Sequence, residues 1–125
     1  MKSINTDKAP KAFGPYSQAM IANGFIFCAG QVGYNRAKDT FEKGIEKQTH
    51  QVMKNLQTVL EKAGSDFEHV VRTTIFLKDI NDFAKVNEIY GSYFEKNKPA
   101  RSTVGVSQLP RDEALVEIDM IAITK

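Results

Sequence analysis

Residues 45–78, IEKQTHQVMKNLQTVLEKAGSDFEHVVRTTIFLK, change their repeat part-way along. Ile45, Thr49, Val52, Leu56, Val59, Leu60 and Ala63 recur at steps of three and four, which lays one apolar stripe along a helix. Gly64 follows, where a left-handed C-terminal cap is expected. Beyond it, Val70–Lys78 is rich in β-branched and aromatic residues and predicts a strand. A helix this regular beside such a strand points to helices layered on a sheet.

Toward the N-terminus, Asn23-Gly24 separates two β-prone runs, Tyr16–Ala22 and Phe25–Ala29, and predicts a tight hairpin. Phe25–Ala29 is apolar throughout, so this strand is expected to be covered on both faces. Gly30, and then Gly33 with Asn35, break it into a loop that is expected to run to about Lys43. Toward the C-terminus, Asp79 or Asn81 can cap a second helix, with the stripe Phe83, Val86, Ile89 or Tyr90, Tyr93 and Phe94 and with Pro99 beyond its end. Two strands close the chain. In the first, Ser102, Val104 and Val106 alternate with Arg101, Thr103, Gly105 and Ser107. In the second, Val116, Ile118, Met120 and Ala122 alternate with Leu115, Glu117, Asp119, Ile121 and Ile123. Period two places Arg101 and Thr103 on one face together, and Glu117 and Asp119 on one face together.

The order hairpin, helix, strand, helix, strand, strand predicts an α+β fold: a two-layer sandwich of a mixed sheet with both helices on one face, in one domain over residues 1–125. The other sheet face is then expected to carry Thr73 or Thr74, Thr103, Gly105, Ser107, Glu117 and Asp119 among apolar residues. A face neither dry nor freely charged points to packing against another copy of the chain.

Composition narrows the function classes. The 125 residues are 42% hydrophobic and 26% charged, as in ordinary globular chains. A net charge of +2, from 17 basic and 15 acidic side chains spread along the chain, gives no pull toward nucleic acid or an anionic membrane. No segment approaches a membrane span, and the N-terminus fits neither a signal nor a transit peptide. With Cys28 as the lone cysteine, a reducing compartment and a cytoplasmic location are expected. There is no Gly-rich phosphate loop, dinucleotide fingerprint, CxxC or HExxH, and neither His50 nor His69 has a partner at ligand spacing. No metal or cofactor is therefore expected. Cys28 lies inside an apolar strand and is read as packing.

Four segments carry a family resemblance: Gly14-Pro15-Tyr16-Ser17-Gln18-Ala19; Ala29-Gly30-Gln31; Arg72–Phe83; and Pro99-Ala100-Arg101-Ser102-Thr103-Val104 followed by Val116-Glu117-Ile118. In this order and spacing they resemble the Rid family, the reactive-intermediate deaminases also called YjgF-type proteins, and are most similar to its RidA-like branch. The resemblance implies a chorismate-mutase-like α+β fold and a homotrimer with pockets between subunits. It also implies cofactor-free hydrolysis of small 2-imino or enamino acids, such as 2-aminoacrylate and 2-iminobutyrate, to 2-oxo acids and ammonium.

What the resemblance implies residue by residue can be set beside the bare chemistry. Arg101 matches the carboxylate-binding arginine, whose planar fork can make two parallel hydrogen bonds to an acid group. Glu117 matches the residue that positions or activates water. Tyr16 matches a pocket tyrosine whose ring is an apolar wall and whose hydroxyl can hold water or the imine nitrogen. Gly30 and Thr103 are expected to bind substrate through their backbones, and Asn87 matches a pocket asparagine on the second helix. Many relatives carry Cys where this chain has Thr103, which leaves a backbone role at that position. Lys96-Asn97-Lys98 is short and lacks an aromatic before Pro-Ala-Arg, so the rim of the pocket differs from bacterial relatives. Two other readings stay open: a non-catalytic protein that binds small carboxylates or regulates, and an RNA-cleaving translation inhibitor, against which the balanced charge argues.

Overall fold

A computed structural model describes residues 1–125. Eight strands and two helices form, in order, β1 (Lys2–Ile4), β2 (Ala19–Ala22), β3 (Phe25–Val32), β4 (Tyr34–Asn35), β5 (Thr40–Phe41), α1 (Ile45–Lys62), β6 (Val70–Leu77), α2 (Phe83–Tyr93), β7 (Ala100–Gly105) and β8 (Val116–Ile123). Six strands make one sheet in the order β1-β2-β3-β8-β6-β7, and β4 with β5 makes a separate small hairpin. Only β6 and β7 run parallel, so the sheet is mixed, as expected for the α+β class.

The expected stripe along α1 is the core. Of that stripe Val52, Leu56, Val59 and Leu60 are fully buried, and together with Met53, also buried but not expected, they form the face of α1 that packs on β3 and β8. Gly64, at φ 81°, closes the helix in the left-handed region. Helix α2 lies beside α1, buries Val86 and Tyr90, and is followed by buried Phe94. The Asp79 side chain accepts a hydrogen bond from the Asn81 backbone N–H at 2.9 Å and so caps a short 3-10 turn, Ile80–Asp82, that leads into α2. The hairpin of β2 and β3 turns at Asn23 and Gly24, with φ of 51° and 78°, a two-residue loop that needs positive φ at both positions.

Several expectations need correction. Strand β3 is not covered on both faces. Ile26 and Cys28 point into the core, whereas Phe25 (43% exposed) and Phe27 (46%) point away from the helices, because no second layer of this chain lies there. The strand also runs past Gly30 to Val32 through an irregularity between Cys28 and Gln31, and β4 and β5 occupy part of the expected loop. Strand β2 begins at Ala19, leaving Tyr16 in a loop, and β1 was not foreseen.

The largest correction concerns faces. In the parallel register, Arg101 lies beside Thr73, Thr103 beside Ile75 and Gly105 beside Leu77. Thr73, Ile75 and Leu77 are buried under the helices. Cross-strand partners share a face, so Arg101, Thr103 and Gly105 face the helix side. Glu117 and Asp119 pair with Phe76 and Thr74 and face the other way. Ser107 lies beyond the end of β7. Strand alternation shows which residues travel together, but the partner's register decides which side they take.

Candidate functional site

The expected site residues fall into two groups on opposite faces of the sheet. The first gathers around Arg101. Its side chain rises from edge strand β7 toward α2, where the guanidinium carbon lies 5.0 Å from the centroid of the Tyr90 ring and 5.7 Å from that of Phe83. Phe83, Asn87 and Tyr90 follow one another at helical spacing, so one face of α2 presents Asn87 between the two rings. Asn87, Lys98, Pro99 and Arg101 line a shallow recess of about 220 Å³. No carboxylate of the chain pairs with Arg101. Thr103 follows on the same strand face, and its Oγ1 is buried without a hydrogen-bond partner.

The second group gathers around Glu117, half-buried on the outer face. Gly30 leaves room for it: a Cβ on residue 30 would lie 2.9 Å from the Glu117 Cδ. Burial pushes the Glu117 carboxyl above its ordinary range, and the neighbouring charge of Asp119 adds to the rise. Asp119 is itself raised by burial, opposed by hydrogen bonds from Thr74 and by Arg72. Tyr16, Gly30, Glu117, Phe13, Tyr34 and Arg111 line a cleft of about 440 Å³. Tyr16 is 54% exposed, and its hydroxyl accepts a long 3.4 Å hydrogen bond from the Phe13 N–H. A recess of about 540 Å³ adjoins this cleft and shares Tyr16, but holds neither Arg101 nor Glu117.

The structure therefore brings Arg101, Asn87 and Thr103 together on one side, and Tyr16, Gly30 and Glu117 on the other. Within one chain it does not bring the two sets together. Among the remaining reactive side chains, Cys28 is buried, and burial foremost, with Asp119 second, pushes its thiol up to about 12. It packs, as read from the strand. His69 Nδ1 meets Asp66 Oδ1 and His50 Nδ1 meets the Tyr93 hydroxyl, each at 2.7 Å. No three metal-ligating side chains converge anywhere in the chain.

Three residues that matter here were not foreseen. Gln18, 3% exposed, ties down the loop that carries Tyr16. Its Nε2 donates to the Thr6 and Pro10 carbonyls at 3.1 and 2.8 Å, and its Oε1 accepts from the Thr6 N–H at 2.6 Å. Arg111 stacks over Phe13, Phe41 and Tyr34 at the mouth of the Glu117 cleft. Tyr90 lies under Arg101. Gln18 falls inside the quoted Gly14–Ala19 segment, but a buried glutamine has no periodic signal. Arg111 and Tyr90 act through contacts across the fold that spacing does not carry.

Comparison with known proteins places the chain. The family model described as Endoribonuclease L-PSP matches residues 6–124. A RutC family protein of Synechocystis is 53% identical over 126 residues, covering 98% of this chain and 96% of that protein. The 2-iminobutanoate/2-iminopropanoate deaminase of Rattus norvegicus is 44% identical over 123 residues, covering 98% and 89%. Among solved structures, a member of the conserved Rid protein family from Yersinia pestis superposes with a TM-score of 0.95 at 47% identity, over 98% of each chain. No helix of the chain is long and apolar enough to cross a membrane.

Proposed function

This chain belongs to the Rid family, whose model is described as Endoribonuclease L-PSP, and from that premise we propose that it hydrolyses small 2-imino and enamino acids to 2-oxo acids and ammonium. The observation that carries the reading is the pairing of opposites across the sheet. One side holds a guanidinium with no anionic partner in the chain, and the other a half-buried carboxyl whose pKa burial raises. Each is half of what an imino acid needs.

The two halves meet when the helix-side edge of one copy, carrying Arg101, Asn87 and Thr103, abuts the outer face of another, carrying Tyr16, Gly30 and Glu117. Supporting this are the apolar Phe25, Phe27, Val104 and Ile123, exposed on the outer face, and the unpaired outer edge of β7. We take the assembly to be a homotrimer with a site at each contact. Cytoplasmic residence belongs to the same proposal and rests on the lone, buried thiol of Cys28.

In the assembled site the Arg101 fork grips the substrate carboxylate through two N–H donors. The backbone at Thr103 and the Asn87 amide border the same group, and the Tyr16 ring walls the side chain. Glu117 takes a proton from a water as the oxygen attacks the C=N carbon of the protonated imine, giving a carbinolamine. The Glu117 carboxylic acid then returns that proton to the amino nitrogen. Collapse of the carbinolamine breaks the C–N bond as the Glu117 carboxylate takes the hydroxyl proton, and that proton passes to the departing ammonia, so that a 2-oxo acid and ammonium are released. A raised carboxyl suits this cycle because it must accept and then give one proton near neutral pH. Gly30 keeps Glu117 close to the main chain.

The test generates 2-aminoacrylate or 2-iminobutyrate with a dehydratase and follows 2-oxo acid release. Wild type is expected to accelerate release, and Arg101→Ala to lose nearly all of that acceleration. No acceleration by wild type would favour a carboxylate-binding protein without turnover. Equal rates for the two proteins would show the site to be misplaced.

A further inference from the structure

An arginine on an edge strand is a poor anchor unless something holds it. Four rotatable bonds separate the guanidinium from the backbone, and Arg101 has no ion-pair partner in the chain that would fix them. What lies against it is aromatic. The Tyr90 ring faces the guanidinium at 5.0 Å, and the more exposed Phe83 flanks it at 5.7 Å. A guanidinium held over a ring by cation–π attraction spends no ion pair on that contact, so its N–H donors stay available to a carboxylate.

The Tyr90 ring is itself held. Its hydroxyl and Thr73 Oγ1 are 2.7 Å apart in a buried hydrogen bond, Thr73 being fully buried. The ring also packs on Phe94 at a centroid distance of 4.8 Å. Thr73 is also the residue that the parallel β6–β7 register sets beside Arg101. One buried threonine is thus tied to both ends of the contact, through the ladder to the arginine backbone and through the phenol to the ring beneath its head.

We propose that Tyr90 is the positioning residue for Arg101: clamped by Thr73, its ring holds the guanidinium in place and so presets its donors for the substrate carboxylate. This rests on the reading of Arg101 as the carboxylate anchor. It does not require turnover.

The experiment titrates the assembled protein calorimetrically with 2-oxobutanoate and with its uncharged amide, 2-oxobutanamide, for wild type, Tyr90→Leu, Tyr90→Phe, Thr73→Val and the Thr73→Val/Tyr90→Phe pair. Tyr90→Leu is expected to weaken 2-oxobutanoate about tenfold and to leave the amide unchanged. Tyr90→Phe keeps the ring and should recover most of that loss. Thr73→Val and Tyr90→Phe should combine without adding, since both remove one hydrogen bond. Imine hydrolysis by Tyr90→Leu should show the change in KM, with kcat within about twofold of wild type. The inference is overturned if Tyr90→Leu binds 2-oxobutanoate as wild type does. Equal loss for acid and amide overturns it too, since that marks general damage to the fold. Should Tyr90→Leu fail to fold, the Thr73/Tyr90→Phe cycle decides, and additivity there sinks the proposal. Wild type that binds 2-oxobutanoate but hydrolyses no imine would remove the catalytic reading and leave this one standing, whereas wild type that does not bind it removes this one.

Discussion

The two faces of one sheet are built from the same strands and end differently. Along β8, Val116, Ile118, Met120 and Ala122 turn toward the helices and are essentially sealed from solvent. Their neighbours Glu117, Asp119, Ile121 and Ile123 turn outward and are only half-covered or exposed. The inward set meets α1 across a close-packed layer, where each side chain has found its contacts. On the outward set Phe27 lies opposite Ile121 and Phe25 opposite Ile123, an apolar strip with two carboxylates at its end and no cover of its own. The chain therefore completes one face by folding and leaves the other uncovered. The chemistry assigned to Glu117 sits on the unfinished side.

Breaking each face should have different readouts. Leu56→Ala, on the finished side, should cost about 2–5 kcal/mol of stability in urea unfolding, because the surrounding helix and strands can collapse only partly into the gap. Phe27→Ala, on the other side, should cost the isolated chain about 1 kcal/mol or less, while sedimentation shows the assembly shifted toward smaller species. If Phe27→Ala unfolded the chain as readily as Leu56→Ala, the contrast would fail. A more local break is Gly30→Ala, whose Cβ meets the Glu117 Cδ and Cγ at 2.9 and 3.0 Å. Moving that carboxyl by an ångström should lower kcat for imine hydrolysis about hundredfold, with melting and assembly close to wild type. Retained kcat would take Glu117 out of the mechanism.

The smallest effect is thermodynamic. Glu117 binds a proton more readily folded than unfolded, since burial raises its pKa. Over the interval between the ordinary and the raised value, the native chain holds the extra proton, so stability falls as pH climbs through that interval and levels off above it. Glu117→Gln should make this descent shallower in melting curves taken from the ordinary carboxylate range upward. Asp119, shifted the same way, should leave part of it in place. An unchanged slope would mean that Glu117 is as well hydrated in the native chain as in the unfolded one.

Much of the finished face could be read from residue order. The α1 stripe repeats because burial on one side of a helix imposes that repeat, and Gly64 marks its end. The alternation of β8 was likewise legible, and so was the membership of each half of the site: Arg101 travels with Thr103, and Glu117 with Asp119. The side each pair takes was not legible, because β7 gets its orientation from its parallel pairing with β6, a contact some thirty residues away in the chain. Phe25–Ala29 misled for a related reason. An apolar run records that both faces are apolar, without saying whether anything in the same chain covers them. Strands of two or three residues, such as β1, β4 and β5, are too short to carry a period at all.

Three amide side chains have a consequence of their own. Gln18 holds the 5–17 stretch. Gln48 donates to the carbonyls of Glu42 and Glu113 and accepts from the Leu115 N–H. Asn55 donates to the carbonyls of Val32 and Tyr34. Each is buried and grips main chain, Asn55 also accepting from the Gln51 side chain. The segments they clasp keep their course whatever side chains they display toward the cleft. Exposed positions such as Phe13 are thereby free to drift, so descendants of such a chain could retune what the cleft admits without redesigning the scaffold beneath it.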